Sequence, residues 1–169
     1  MRRVDFCCGT ALAALVIANS GIARPSEGDG SDREIRLTPE ELSRLAQGGG
    51  AVGSSHVPGI QDWTLKGVPT QAGVYTIALL VPKHTTIHAH WHPDDRVATV
   101  VRGTWYIGYG EEFVGTKLKA LPPGSFYTEP PKQGHFAQTG DEDALVFTSG
   151  FGPTGTTYYQ SNLDPRGTR

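Results

Sequence analysis

Six histidines occur in the chain, and four of them, His84, His88, His90 and His92, fall within nine consecutive positions. Histidine at alternate positions suits a metal chelate on a β-strand, because alternate residues face one side; on that rule His88, His90 and His92 all point the same way. They cannot serve one ion together. At ~3.3 Å of rise per residue His88 and His92 stand about 13 Å apart, whereas an imidazole–metal bond is about 2.0 to 2.1 Å, so one adjacent pair is the realistic chelate. His135 follows downstream, and His56 is isolated. Both cysteines, Cys7 and Cys8, lie in the apolar N-terminal run, so a metal elsewhere must be held by His, Asp or Glu. Asp94, Asp95 and Glu129 are the nearby carboxylates. Neutral imidazoles suit Zn, Cu, Ni or Fe(II), and three of them leave coordination positions open, as catalytic sites do. No nucleophile triad, phosphate-binding glycine loop or cysteine cluster offers another chemistry.

Residues of this kind need strands to hold them, and the pattern from Val74 onward supplies short β-rich runs separated by Gly and Pro. They are 74–81, 96–101, 104–109, 117–121, 126–128, 136–138 and 144–149. Evenly spaced short strands with no long helical period predict an all-β sandwich or barrel. Tyr158-Tyr159 marks a final edge strand. Upstream, Thr38-Pro39-Glu40-Glu41 reads as an N-cap, a first-turn proline and two acids at the positive helix end, opening a short helix to about Ala46 that Gly48-Gly49-Gly50 ends.

Two further spacings carry a family resemblance. His90-Trp91-His92, three residues, position 96, six residues and Gly103 follow the first motif of the cupin superfamily. Gly124, five residues, Pro130 and then His135 follow the second. The stretch from His92-Pro93-Asp94-Asp95-Arg96 to Tyr127 resembles a subgroup of small exported bacterial cupins of undefined activity. The resemblance spans roughly 74–149. It implies a cupin-type conical β-barrel, a jelly roll of two antiparallel sheets, with the short N-terminal helix outside. It also implies a divalent transition metal (Fe, Mn, Zn, Ni or Cu) on His90, His92 and His135 at the barrel mouth. Three positions depart from the pattern: Arg96 stands where metal-binding cupins usually carry a Glu ligand, Thr139 replaces an Asn, and His84 takes the place of a Gly.

Arg96 is the informative departure. If the strand runs on without a bulge, residues 90, 92 and 96 share parity, and the guanidinium enters the same cavity as the imidazoles. A divalent ion on three neutral histidines keeps its charge and the arginine adds another, so something negative must offset them. Either Glu129, Asp94 or Asp95 pairs with Arg96, or Arg96 acts in catalysis by clamping the anion of the substrate.

At the N-terminus, Met1-Arg2-Arg3, the apolar run from Phe6 to Ala18 and Gly21-Ile22-Ala23 have the layout of a secretory signal, with a cut after Ala23 or Ser20. The run is about a dozen residues, short of the ~20 a membrane-crossing helix needs, which argues against a stable membrane anchor. The expected organisation is a signal peptide over 1–23, a flexible leader over 24–36 and a single domain over 37–169, in the periplasm or secreted. A formal charge of −2 and a pI near 6.3, with no basic stripe, argue against nucleic acid as a partner. A small-molecule ligand is the expected partner, and a homodimer is left open. The function classes in view are a metal-dependent enzyme, such as an oxygenase, isomerase or lyase, on a small anionic or oxygen-rich substrate, and a non-catalytic periplasmic binding protein.

Overall fold

The computed structural model describes residues 34–45 and 54–167; the expected signal peptide, 1–23, and all but the last three residues of the expected leader, 24–36, lie outside them. Helix α1 (Pro39–Leu45) opens on the expected cap. The Thr38 amide donates to Glu41 Oε2 at 2.8 Å and the Glu41 amide to Thr38 Oγ1 at 3.2 Å, a reciprocal box that satisfies two otherwise orphaned donors.

Ten strands follow: β1 (Gln61–Lys66), β2 (Gly73–Val81), β3 (Thr86–Trp91), β4 (Arg96–Arg102), β5 (Trp105–Tyr109), β6 (Lys119–Leu121), β7 (Phe126–Glu129), β8 (His135–Thr139), β9 (Ala144–Gly152) and β10 (Thr157–Tyr158). They form two five-stranded antiparallel sheets, ordered β1-β2-β9-β4-β7 and β10-β3-β8-β5-β6. From β2 onward each strand passes to the opposite sheet, except at the β5–β6 hairpin. This is a jelly roll, as expected. Along β4, Arg96, Ala98 and Val100 are buried while Val97 and Thr99 are exposed, the period of two that one covered face imposes. Val81, Ile87, Val100, Trp105, Ile107 and Val146 meet between the sheets as the core.

Two strands differ from the sequence expectation. β1 falls before Val74, where the alternation of Trp63 and Leu65 with Asp62, Thr64 and Lys66 is too short to stand out; Asp62 is its one buried residue, and it sits at a sheet edge. β3 carries a bulge. Ile87 pairs with Ala137 but His90 with His135, so three steps on β3 oppose two on β8. The extra residue reverses the parity at its centre, so Ile87 and His90 both line the interior. His88 therefore does not share the face of His90 and His92. It packs edge-on against Phe113, with 6.0 Å between ring centroids, and lines a separate depression of about 300 Å³.

Crossing between sheets requires tight turns. Gly103, between β4 and β5, has φ +71, and a Cβ there would lie 2.1 Å from the carbonyl oxygen of Asp143. His84 takes the same left-handed conformation, with φ +58, at the position where the motif has glycine, and it lies on the surface 3.7 Å from Asp141. Gly103→Ala is expected to cost about 2 kcal/mol or more, from strain plus displaced backbone. Gly115→Ala, with nothing within 4 Å, should change little. Thermal denaturation of the two variants checks this, and equal midpoints would refute it.

Candidate metal centre

The end of β3, the start of β4, the end of β7 and the start of β8 meet at one end of the barrel, two from each sheet. His90 sits on β3 directly across from His135 on β8, and His92 follows one residue past the end of β3. Their side chains are 2 to 5 % exposed, and one ligand atom from each lies within 4.8 Å of the others. Ring centroids are 4.4 Å apart for His90–His135, 5.0 Å for His90–His92 and 5.1 Å for His92–His135.

Backbone carbonyls decide the tautomers. His90 Nδ1 lies 2.8 Å from the His88 carbonyl, His92 Nδ1 2.6 Å from that of Gly155, and His135 Nδ1 3.3 Å from that of Gln133. A carbonyl only accepts, so each Nδ1 carries the proton and each Nε2 presents a lone pair. The buried Nε2 of His135 makes no hydrogen bond. Burial, and then the neighbouring His135, hold the pKa of His90 down to about 3. Burial and then Arg96 do the same for His135, and both push His92 well below the usual imidazole range. Three neutral, converging nitrogen donors with their other nitrogens tied to acceptors are the donor set a divalent transition metal requires.

Beside them lie two charged groups. Arg96 opens β4 and Glu129 closes β7, paired across the sheet, and both point inward with 2 % and 5 % of their surface exposed. Arg96 Nε stands 2.9 Å from Glu129 Oε2, a close ion pair rather than an aligned hydrogen bond. The same carboxylate reaches the imidazoles: Oε2 is 3.7 Å from His92 Nε2, and Oε1 is 3.7 Å from His135 Nε2. Of the partners open to Arg96 in the sequence, Glu129 is thus in place. Asp94 is buried but engaged elsewhere, accepting from Tyr75 Oη at 2.6 Å and from Thr154 Oγ1 at 2.5 Å. Asp95 is exposed.

The cavity beside the histidines is about 30 Å³, apolar on the side of Leu79, Val81, Ile87 and Trp105 and polar at the site. Tyr158 lies over His90 at 5.3 Å between centroids and donates to the carbonyl of Ser55, while Thr156 donates to that of Ser54 at 2.7 Å.

No protein-family model and no curated protein matches the sequence. Solved structures do match in shape. The DMSP lyase DddQ from Ruegeria pomeroyi aligns over 70 % of this chain and 63 % of its own, with TM-score 0.55 and 15 % identity. A cupin-like protein from Thermotoga maritima aligns over 69 % of this chain and 91 % of its own, with TM-score 0.51 and 18 % identity. The salicylate 1,2-dioxygenase from Pseudoaminobacter salicylatoxidans aligns over 60 % of this chain and 29 % of its own, with TM-score 0.50 and 13 % identity. The chain folds as a cupin. Within that barrel the three departures have physical accounts. His84 adopts the left-handed backbone that favours glycine. Thr139 accepts from the Thr85 amide at 2.9 Å and donates to the Pro82 carbonyl at 2.6 Å, tying β8 to the turn before β3. Arg96 occupies the carboxylate position of the first motif but holds a carboxylate from the next strand. Sequence reasoning named Glu129 without a direction, because either Phe126 or Tyr127 could have faced inward; Tyr127 does, and the period of two carries Glu129 with it.

The neutral histidines of this cupin-type fold make its stability pH-dependent. An unfolded imidazole takes a proton near pH 6.5, whereas His90 and His135 in the fold resist until about pH 3. Stability is therefore complete above pH 6.5 and lost as pH falls below it, with a slope of up to about 1.4 kcal/mol per pH unit for each such histidine. Urea midpoints of chelator-treated protein at pH 7.5, 6.5 and 5.5 should show the decline, reduced in His90→Gln. A flat profile would mean that the cluster is not buried neutral.

Proposed function

We propose that this chain is an exported metal-dependent enzyme acting on a small anionic or oxygen-rich substrate, with a divalent transition metal on Nε2 of His90, His92 and His135. The observation that carries the reading is the convergence of three buried lone pairs whose tautomers are locked by backbone carbonyls. A bound ion supplies a Lewis-acid position with coordination sites left open. The residues around it set the charge. Glu129 and Arg96 cancel, so the double charge of the ion stands against no other counter-charge in the cluster and favours an anion as the next ligand. On this reading Arg96 favours the substrate's anion indirectly, by offsetting the charge of Glu129 that would otherwise oppose it. The apolar walls lower the local dielectric, which strengthens that preference. The signal-like segment 1–23 supports a periplasmic or secreted location.

The cavity size supports a second reading. At about 30 Å³ it is far below the roughly 300 to 1,000 Å³ of ordinary ligand pockets, which suits a protein that holds a metal or a very small ligand without turning it over. Elemental analysis after reconstitution tests the site common to both readings. Wild type and His84→Ala should retain a stoichiometric metal. His90→Ala and His135→Ala should lose it while keeping the β-rich circular dichroism spectrum. Equal metal content in wild type and His90→Ala would reject the site. Consumption of small carboxylates by the loaded protein, followed by proton NMR, separates enzyme from binder.

A further inference from the structure

We infer that Glu129 is a fourth ligand of this centre, contributed from β7, and that Arg96 is the residue that positions its carboxylate. The inference rests on the three-histidine reading and goes beyond it.

The geometry demands a cation between these groups. Each imidazole has its single proton on Nδ1, bound to a carbonyl, so Nε2 of His92 and of His135 can offer Glu129 only a lone pair. The carboxylate in turn offers only lone pairs, one oxygen to each ring, both at 3.7 Å. Four acceptors facing one another in a space nine-tenths buried would repel. Arg96 meets this need in part, with Nε 2.9 Å from Oε2. Oε1 faces His135 Nε2, which has no hydrogen-bond partner. For ligands bonded at about 2.1 Å, neighbouring donor atoms are about 3.0 Å apart in an octahedral and about 3.4 Å in a tetrahedral shell. From 3.7 Å, the tetrahedral spacing is reached by closing about 0.3 Å and the octahedral one by about 0.7 Å.

Backbone register makes the placement specific. Glu129 and Arg96 are opposite each other on antiparallel strands, so both side chains leave the sheet on the same face at the same level. Glu129 closes its strand, with Pro130 next, and Arg96 opens its own. Arg96 therefore orients the carboxylate and competes with the ion for it. The consequence runs in opposite directions for the two residues. Removing Glu129 weakens the ion's hold, and removing Arg96 tightens it, because the buried carboxylate then has the ion as its remaining counter-charge.

Zinc affinity by chelator competition, together with the visible absorption of the cobalt(II)-substituted protein, tests the inference. Glu129→Gln should bind zinc at least tenfold more weakly than wild type and show a changed cobalt spectrum. Arg96→Met should bind zinc more tightly and, without metal, melt at a lower temperature. Should either single variant fold poorly because a buried charge has lost its partner, the double variant Arg96→Met/Glu129→Gln carries neither charge. Its affinity must then fall below that of wild type. Wild-type affinity and an unchanged cobalt spectrum in Glu129→Gln, with binding still lost in His90→Ala, would leave the three-histidine site standing and overturn the fourth ligand. Absence of binding in wild type would overturn both.

Discussion

Three imidazoles can be buried side by side only if none is charged, and each then has one proton to place. The carbonyls of His88, Gly155 and Gln133 settle that placement, and much of the local architecture exists to bring them there. The bulge in β3 turns the His88 side chain out of the barrel and leaves its carbonyl under His90. The turn before β8 supplies Gln133. The segment leading into β10 supplies Gly155, and it is fixed in turn by Thr154 on Asp94 and by Thr156 on the carbonyl of Ser54. Without these acceptors a ring flip or tautomer change would cost little, and the three lone pairs would not converge.

The jelly-roll path explains how distant positions reach one place. From β2 onward every connection but the β5–β6 hairpin crosses from one sheet to the other, so the end of one strand and the start of the next lie on opposite walls of the same end of the barrel. The His90–His92 pair and Arg96 are neighbours in sequence and face each other across the core. Glu129 and His135 repeat the arrangement one layer along. Arg96 reaches the cavity as the strand parity suggested, but for a different reason: residues 90 and 96 are on separate strands in separate sheets, not one continuous strand.

Much of this was legible in the residues. The histidine triad, the all-β architecture and the helix cap at Thr38 follow from spacing, turn residues and capping chemistry that act locally. What escaped was set by long-range pairing. Nothing in Ile87-His88-Ala89-His90 announces a bulge, because its register is defined by β8, more than forty residues later. Asp94 looks like a turn residue after Pro93, yet its partners are Tyr75 and Thr154. β1 has only the short alternation of Trp63 and Leu65 to announce it, and is defined by its pairing with β2. The direction of Glu129 hung on whether Phe126 or Tyr127 is buried, two aromatics that composition cannot rank.

The hydrogen bonds of Thr156 and Tyr158 to the carbonyls of Ser54 and Ser55 join residues 102 and 103 positions apart. They also make closure of the histidine cluster a property of nearly the whole fold. A piece of the chain ending at His135 would contain all three imidazoles, but neither the Gly155 carbonyl beside His92 nor the Tyr158 ring beside His90. The short last strand therefore does more than extend a sheet: it completes the surroundings of residues that precede it by more than sixty positions.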